Sequence, residues 1–310
     1  MDKYHILTIV IPVYNRERLI LKALNSLAIQ SFYGNFKVIV VDDKSSDYTV
    51  EIVKAWIPNH PWIDVKLITT DVKGVSGARN CGLNEADTEY VMFFDSDDRM
   101  MPGFLDVLID KLVKSQTDII GWDVNFTGKG KHKRIFKSSN VWFNHLVHGA
   151  LSTQRYVART SLFNEAGGWN ESLSAWTDLE LGVRILLQNP KMEKLKLDYT
   201  RTINVNFTRL SITGSGYQEE PEKWINALDS VEDLILNHIP EKIGWIQYRR
   251  AILAAEFSRA QLNDLANQQL ERAMNYYKLP DFCVKLIFNL HKKFKRGTWL
   301  LASCFSKNIL

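Results

Sequence analysis

Tyr90-Val-Met-Phe-Phe-Asp-Ser-Asp-Asp98 sets five large apolar residues directly against three carboxylates. An unbroken apolar run of this length predicts a strand buried on both faces, as in a parallel sheet, whose C-terminal end opens abruptly into solvent. Asp95, Asp97 and Asp98 are thereby expected at one sheet edge. Three negative charges so close together repel and raise one another's pKa unless a cation or hydrogen-bond donors compensate them. A hard divalent ion, Mn²⁺ or Mg²⁺, prefers carboxylate oxygen and keeps positions open for phosphate oxygens. An Asp-x-Asp at a strand end is therefore a candidate metal-and-phosphate site. The plainer alternative is that the aspartates only cap a helix starting at Pro102.

Upstream, two more apolar runs end in polar residues. Ile6 to Val13 runs into Tyr14-Asn15, and Phe36 to Val41 runs into Asp42-Asp43. Between them Leu19, Ile20, Ala23, Leu24 and Leu27 recur at helical spacing, predicting a helix from about Arg16 to Gln30. Ser45, Ser46 and Asp47 are N-cap candidates for a helix through Trp56, Val65 to Thr69 reads as a shorter strand, and Gly74 to Leu83 as a glycine turn into a helix. This alternation predicts βαβ crossovers and a mostly parallel sheet, in which ligands bind outside the carboxyl ends of the strands. Asn15, Asp42, Asp43 and Asp95 to Asp98 all fall at those ends, a coincidence that helix capping does not predict.

Beyond Pro102 the pattern is mixed, with a helix at Asp106 to Lys114, strand-like segments at Asp118 to Phe126 and Gln154 to Ala158, a basic hairpin or loop at Thr127 to Arg134, and one or two strands over Lys194 to Phe207. From Glu219 onward only helices are expected. The domain division is drawn at 1–217 (halves of about 1–100 and 101–217) and 218–310.

The 310 residues carry 39 Lys and Arg against 35 Asp and Glu, a net charge of +4 that does not by itself imply nucleic acid. Cys81, Cys283 and Cys304 form no CxxC pair, which argues against a disulfide framework or a zinc site and for a reducing compartment. Ile6 to Val13 is too short for a signal peptide or a membrane span, so a cytosolic start is expected.

Pro12-Val-Tyr-Asn15, Val40-Val-Asp-Asp43 with Ser45, Ser46 and Asp47, Gly77-Ala-Arg-Asn80 and Phe94 to Asp98 together resemble the family 2 glycosyltransferases with the GT-A fold. Gly167-Gly-Trp-Asn-Glu171, Leu173, Asp178, Glu180-Leu181 and Arg184 resemble that family's acceptor-side signature. The resemblance covers roughly residues 6 to 190. It implies a GT-A, Rossmann-like α/β fold with a mostly parallel central sheet and flanking helices, followed here by a C-terminal α-helical extension. It further implies transfer of a sugar from a nucleotide-diphosphate sugar to an acceptor hydroxyl, generally with inversion and the help of Mn²⁺ or Mg²⁺.

On that resemblance Pro12, Val13, Tyr14 and Asn15 would line the nucleobase slot, and Asp42 or Asp43 would accept from the base or ribose. Arg79 and Asn80 would sit beside the nucleotide or diphosphate. Asp95 and Ser96 would face the ribose or sugar, Asp97, with Asp95, would bind the metal, and Asp98 would join either role or cap the following helix. Asp178 is the expected general base, with Glu180 as fallback and helix capping as the structural alternative. Thr177 stands where the family's signature has an acidic residue. Arg209 is a phosphate-binding candidate, and no histidine follows it through Ser215, so metal ligation would rest on Asp97 and the diphosphate. Trp169 and Trp176 offer aromatic faces to a sugar, or to a core.

The stretch 282–310 has lysines, Arg296 and many aromatics but no acid. It would either lie in the plane of an anionic inner leaflet, where lipid-linked acceptors reside, or pack on the enzyme with a solvated basic face. The expected partners are therefore a nucleotide-sugar donor and a saccharide or lipid-linked saccharide acceptor, with a cytoplasmic location, peripheral on the inner face of the cell membrane if the tail binds it. Two competing readings are a phosphatase of the haloacid dehalogenase type, whose nucleophile also sits in a strand-end Asp-x-Asp, and a non-catalytic nucleotide-sugar-binding module.

Overall fold

The computed structural model describes residues 5–31, 35–127, 132–198, 200–206, 217–294, 298 and 301. The first hundred residues alternate as the apolar runs require: β1 (Leu7–Val13), α1 (Ile20–Ala28), β2 (Phe36–Asp42), α2 (Thr49–Trp56), β3 (Asp64–Thr69), α3 (Val75–Asn84) and β4 (Tyr90–Phe93). Every residue of β1 and β4 is buried, because helices cover both faces of a parallel sheet. Helix α1 starts four residues later than its apolar spacing suggests. The backbone N–H groups of Asn15, Arg16 and Glu17 are drawn instead to Ser45, Thr49 and Asp47, which holds the preceding segment as a loop.

The chain continues through β5 (Arg99–Met100), α4 (Phe104–Lys114), β6 (Ile119–Gly121), β7 (Val124–Thr127), β8 (His132–Arg134), α5 (Val141–His148), β9 (Tyr156–Arg159), α6 (Thr160–Glu165), α7 (Thr177–Leu187), β10 (Met192–Lys194) and β11 (Ile203–Asn206). The main sheet has seven strands in the order β10-β6-β9-β4-β1-β2-β3. All its pairings are parallel except those of β9, which runs antiparallel to β4 and β6. Since β2 and β3 build outward on one side of β1 and β4 lies on the other, the direction of winding reverses at β1. That makes the crevice beyond the carboxyl ends of β1 and β4 a topological switch point. A second sheet has the order β5-β11-β7-β8 and takes in the two described ends of the basic segment, Thr127 and His132–Arg134, as antiparallel strands. Helix α3 lies so close to β1 that a Cβ on Gly82 would sit 2.3 Å from Val10, so only glycine fits there.

Two compact units emerge, and they do not follow a single cut near residue 217. The first comprises residues 1–139, 151–172 and 188–208; the second comprises 140–150, 173–187 and 209–310. The first is built on the two sheets around a core that includes Leu7, Ile9, Phe36, Tyr90, Phe104 and Trp122. The second is helical: α5 and α7 join α8 (Pro221–His238), α9 (Ile243–Arg259), α10 (Asn263–Met274) and α11 (Asp281–Phe294) around Leu179, Val183, Trp224, Leu228, Trp245 and Phe257. Within it the fully buried guanidinium of Arg250 is held by Glu232, by Asp229 at 2.6 Å and by Gln269 at 2.5 Å. Arg272 and the Tyr276 hydroxyl donate to the other Glu232 oxygen at 2.7 and 2.6 Å.

Candidate active site

The expected rim exists in the first unit. At the end of β1, Val13 packs in the core and Pro12 is buried. Tyr14 is 52% exposed and is the aromatic face on offer. Asn15 adopts a left-handed backbone (φ 51°), and its Oδ1 accepts the Ser46 N–H at 2.8 Å, which binds the β1 loop to the β2 loop. At the end of β2 the two aspartates part company. Asp42 is 2% exposed, and its carboxylate accepts the Ser45 N–H, whereas Asp43 is only half-buried and accepts the Gly74 N–H at 2.8 Å. Asp42 thus organises the loop, and Asp43 is the member of the pair that solvent reaches.

At the end of β4, both oxygens of Asp95 are engaged. One accepts from Arg79 Nη2 at 2.9 Å and the other from Gln154 Nε2. Ser96 is buried. Asp97 is pushed up to about 6 by burial and by the charge of Asp95, with Arg16 pulling the other way. Asp98, 1% exposed, is raised well above the ordinary carboxylate range by burial, then by Asp95 and Asp97. One Asp98 oxygen accepts the Asn206 N–H at 2.8 Å; the other is buried with no hydrogen-bond partner among the described residues.

Three carboxylates with the Arg79 guanidinium among them and the charge of Arg16 acting on Asp97 still leave an excess of negative charge of the kind a hard divalent ion neutralises. The donor set therefore fits such an ion in part. Among the described residues no group of three His, Cys, Asp or Glu could hold a metal alone, so the remaining ligands would come from phosphate oxygens and water. Among the described residues Asp97 is the carboxylate committed to no other side chain, and it is the natural one to face the ion; Asp95 is already turned toward Arg79 and Gln154.

Arg79 is 5% exposed, and its guanidinium lies 4.3 Å over the Trp169 ring. Asn80, expected beside the nucleotide, instead clasps Trp169: Oδ1 accepts the Trp169 N–H at 2.7 Å while Nδ2 donates to the Trp169 carbonyl at 2.9 Å and to Glu171 at 2.7 Å. Trp169 is itself 2% exposed, its face covered by Arg79 and the core. In the sequence Gln154 reads only as part of a strand-like segment, and Trp169 as an aromatic face for a sugar or for the core rather than for Arg79. Gln154 lies in a 3-10 turn just before β9 with no motif around it, and only the proximity of Trp169 to Arg79 gives its ring a role.

Asp178 belongs to the second unit. It stands in the first turn of α7, just after the left-handed Trp176 (φ 46°), and its Oδ1 accepts the Leu179 N–H at 2.9 Å. Glu180, the fallback, is 3% exposed and locked in a two-point ion pair with Arg184 at 2.8 and 2.6 Å. Arg209 lies outside the described residues.

A model of glycosyl transferase family 2 matches residues 8–164. Glycosyltransferase GlyA of Streptococcus pneumoniae is 38% identical over 179 residues, 56% of this chain and 24% of that protein. The GalNAc(5)-diNAcBac-PP-undecaprenol beta-1,3-glucosyltransferase of Campylobacter jejuni is 32% identical over 191 residues, 56% of this chain and 59% of that protein. The chain thus spans less than two thirds of the length of either curated relative. A Staphylococcus aureus TarS chain crystallised with UDP superposes with a TM-score of 0.65 at 19% identity, over 93% of this chain and 91% of that one. That likeness shows the GT-A fold. A dehalogenase-type phosphatase is not favoured by any of these matches, and Asp95, which would be its nucleophile, has both oxygens committed.

Proposed function

Since the chain belongs to glycosyl transferase family 2, we propose that it moves a sugar from a nucleotide-diphosphate sugar, uridine-linked, to an acceptor hydroxyl with inversion at the anomeric carbon. The acceptor is a saccharide or lipid-linked saccharide of surface-polysaccharide assembly. Support for the uridine nucleotide comes from the TarS complex with UDP, and for the lipid-linked acceptor from the undecaprenol-linked acceptor that the name of the Campylobacter protein carries. The observation that carries the reading is the switch-point rim, where Asp95 is fixed by two donors, Asp97 is held near pKa 6 and Asp98 keeps one oxygen buried and unpartnered among the described residues.

Each residue then has a task. Tyr14 offers a stacking face to the base, and Asp43, anchored to the Gly74 N–H, accepts from base or ribose. Asp95 is presented toward the ribose or sugar in an orientation set by Arg79 and Gln154. Asp97 would hold the Mn²⁺ or Mg²⁺, which when bound offsets the charge that gathers on the departing diphosphate. Asp178 takes the proton from the attacking hydroxyl as general base.

On α11, Phe282, Leu286 and Phe294 are exposed alongside Lys285, Lys292 and Lys293. No helix among the described residues is long and apolar enough to cross a membrane. We read this face as resting on an anionic leaflet, where a lipid-linked acceptor would be met.

The test is a thermal-shift panel of nucleoside diphosphates and nucleotide sugars with and without Mn²⁺. A ligand that binds only the folded form raises the melting temperature. The proposal expects a metal-dependent shift with a uridine nucleotide; no shift with any nucleotide at millimolar concentration would refute it.

A further inference from the structure

A buried guanidinium keeps its direction only through what touches it. Arg79 has two directional contacts: Asp95 at 2.9 Å, and the Trp169 ring 4.3 Å beneath the guanidinium carbon. Its Nε is buried without a hydrogen-bond partner, so among the described residues no third polar contact backs these up. The ring is in turn fixed on two sides. Phe93, the last residue of β4, meets it edge-on at 5.1 Å, and Asn80 holds its backbone through both N–H and C=O.

That clasp imitates a strand ladder with one side chain, joining α3 to a loop 89 residues away in the chain. It closes only on a glycine. Gly168 has a φ of +69°, and a Cβ there would lie 2.6 Å from Asn80 Oδ1. The direction of the Asp95 carboxylate thus depends on a relay running Asn80, Trp169, Arg79, Asp95, with Gln154 steadying the far oxygen.

We infer that Trp169 and Asn80 are positioning residues for the donor site, acting through Arg79 on Asp95. The inference rests on the donor reading above. A cation over an indole face is attracted by the ring's quadrupole, and Trp provides a better face than Phe, which still provides one where Leu provides none.

Isothermal titration of UDP and of GDP, each with MnCl₂, into wild type, Trp169→Leu, Trp169→Phe, Arg79→Met and the Trp169→Leu/Arg79→Met double variant tests it, with near-ultraviolet circular dichroism confirming the fold. Trp169→Leu is expected to weaken Kd about tenfold and Trp169→Phe by no more than about threefold. In the Arg79→Met background Trp169→Leu is expected to add less than about twofold, because the residue it acts through is already gone. Wild-type Kd in Trp169→Leu, failure of Phe to rescue, or additive losses in the double variant would each overturn the inference.

Asn80→Ser keeps the ring and loosens only the clasp, so it serves if Trp169→Leu does not fold. It too should weaken Kd, and should do so non-additively with Arg79→Met; an unchanged Kd overturns the relay. Wild-type protein that binds neither nucleotide would remove the donor reading and the relay with it. Binding by wild type that the variants leave intact would remove the relay alone.

Discussion

Asp97→Asn should make the metal-free protein more stable while abolishing its metal-dependent nucleotide binding. Burial and the neighbouring Asp95 raise the Asp97 carboxyl from an ordinary 3.8 to about 6. Ionised at neutral pH, it therefore costs the fold about 3 kcal/mol relative to an unperturbed carboxylate. The folded pKa lies above the unfolded one, so the cost is full above pH 6, fades as pH falls through 6, and is gone below about 3.8. Asparagine keeps the shape and never ionises. In EDTA at pH 7.5 the variant should melt about 5 °C or more above wild type, given roughly 2–4 °C per kcal/mol for a domain of this size. The gap should narrow at pH 5.5 and close near pH 4. In the same instrument, the Mn²⁺-dependent rise that UDP gives wild type should be missing from the variant. A variant less stable than wild type at pH 7.5, or a gap that ignores pH, would refute the account of stored repulsion. A retained Mn²⁺-dependent shift would refute Asp97 as the cation's residue.

Asp178→Asn should bind nucleotide as wild type does and lose transfer by about a hundredfold or more, the usual contribution of a positioned base; product formation at the wild-type rate would dismiss it as the base. Gly182→Ala places a Cβ 2.3 Å from the His145 ring, whose Nε2 lies 2.9 Å from the Leu179 carbonyl. That overpacking should cost about 1–3 kcal/mol, read as a lower urea midpoint at unchanged slope. Arg250→Met strips a fully buried cation from Glu232 and Asp229 and should destabilise by about 3–5 kcal/mol in urea unfolding, because it leaves buried carboxylates short of a partner.

The rim was legible because a strand end is a local event. Phe94 gives way to Asp95, and Val41 to Asp42, within one residue, and alternation with helices places those ends on one edge. What was not legible depends on partners far along the chain. Asp42 and Asp43 are indistinguishable as letters, yet Val13, Ser45 and Gly74 bury one and leave the other half open. Asn80 belongs to a motif pointing at the nucleotide, but the residue that claims its amide is Trp169. Strand β9 runs antiparallel to β4 and β6, and no periodicity within Tyr156–Arg159 records which way it will pair with neighbours from distant segments. The cut near residue 217 followed the switch from mixed to purely helical pattern. In space, α5 and α7 side with the later helices because their apolar faces, Leu146, Leu179 and Val183, are completed there.

That interleaving bears on how the chain could be trimmed. Helix α7, which carries Asp178, packs against α8, and its Leu179 and Val183 share a core with Trp224 and Leu228. A truncation after residue 217 would leave the family-matched region untouched in sequence yet strip the buttress from α7, uncovering apolar side chains worth about 2 kcal/mol apiece. The helices beyond the recognised region are thus the foundation of the segment that holds the proposed base, and a shortened protein would lose that segment before it lost its grip on nucleotide.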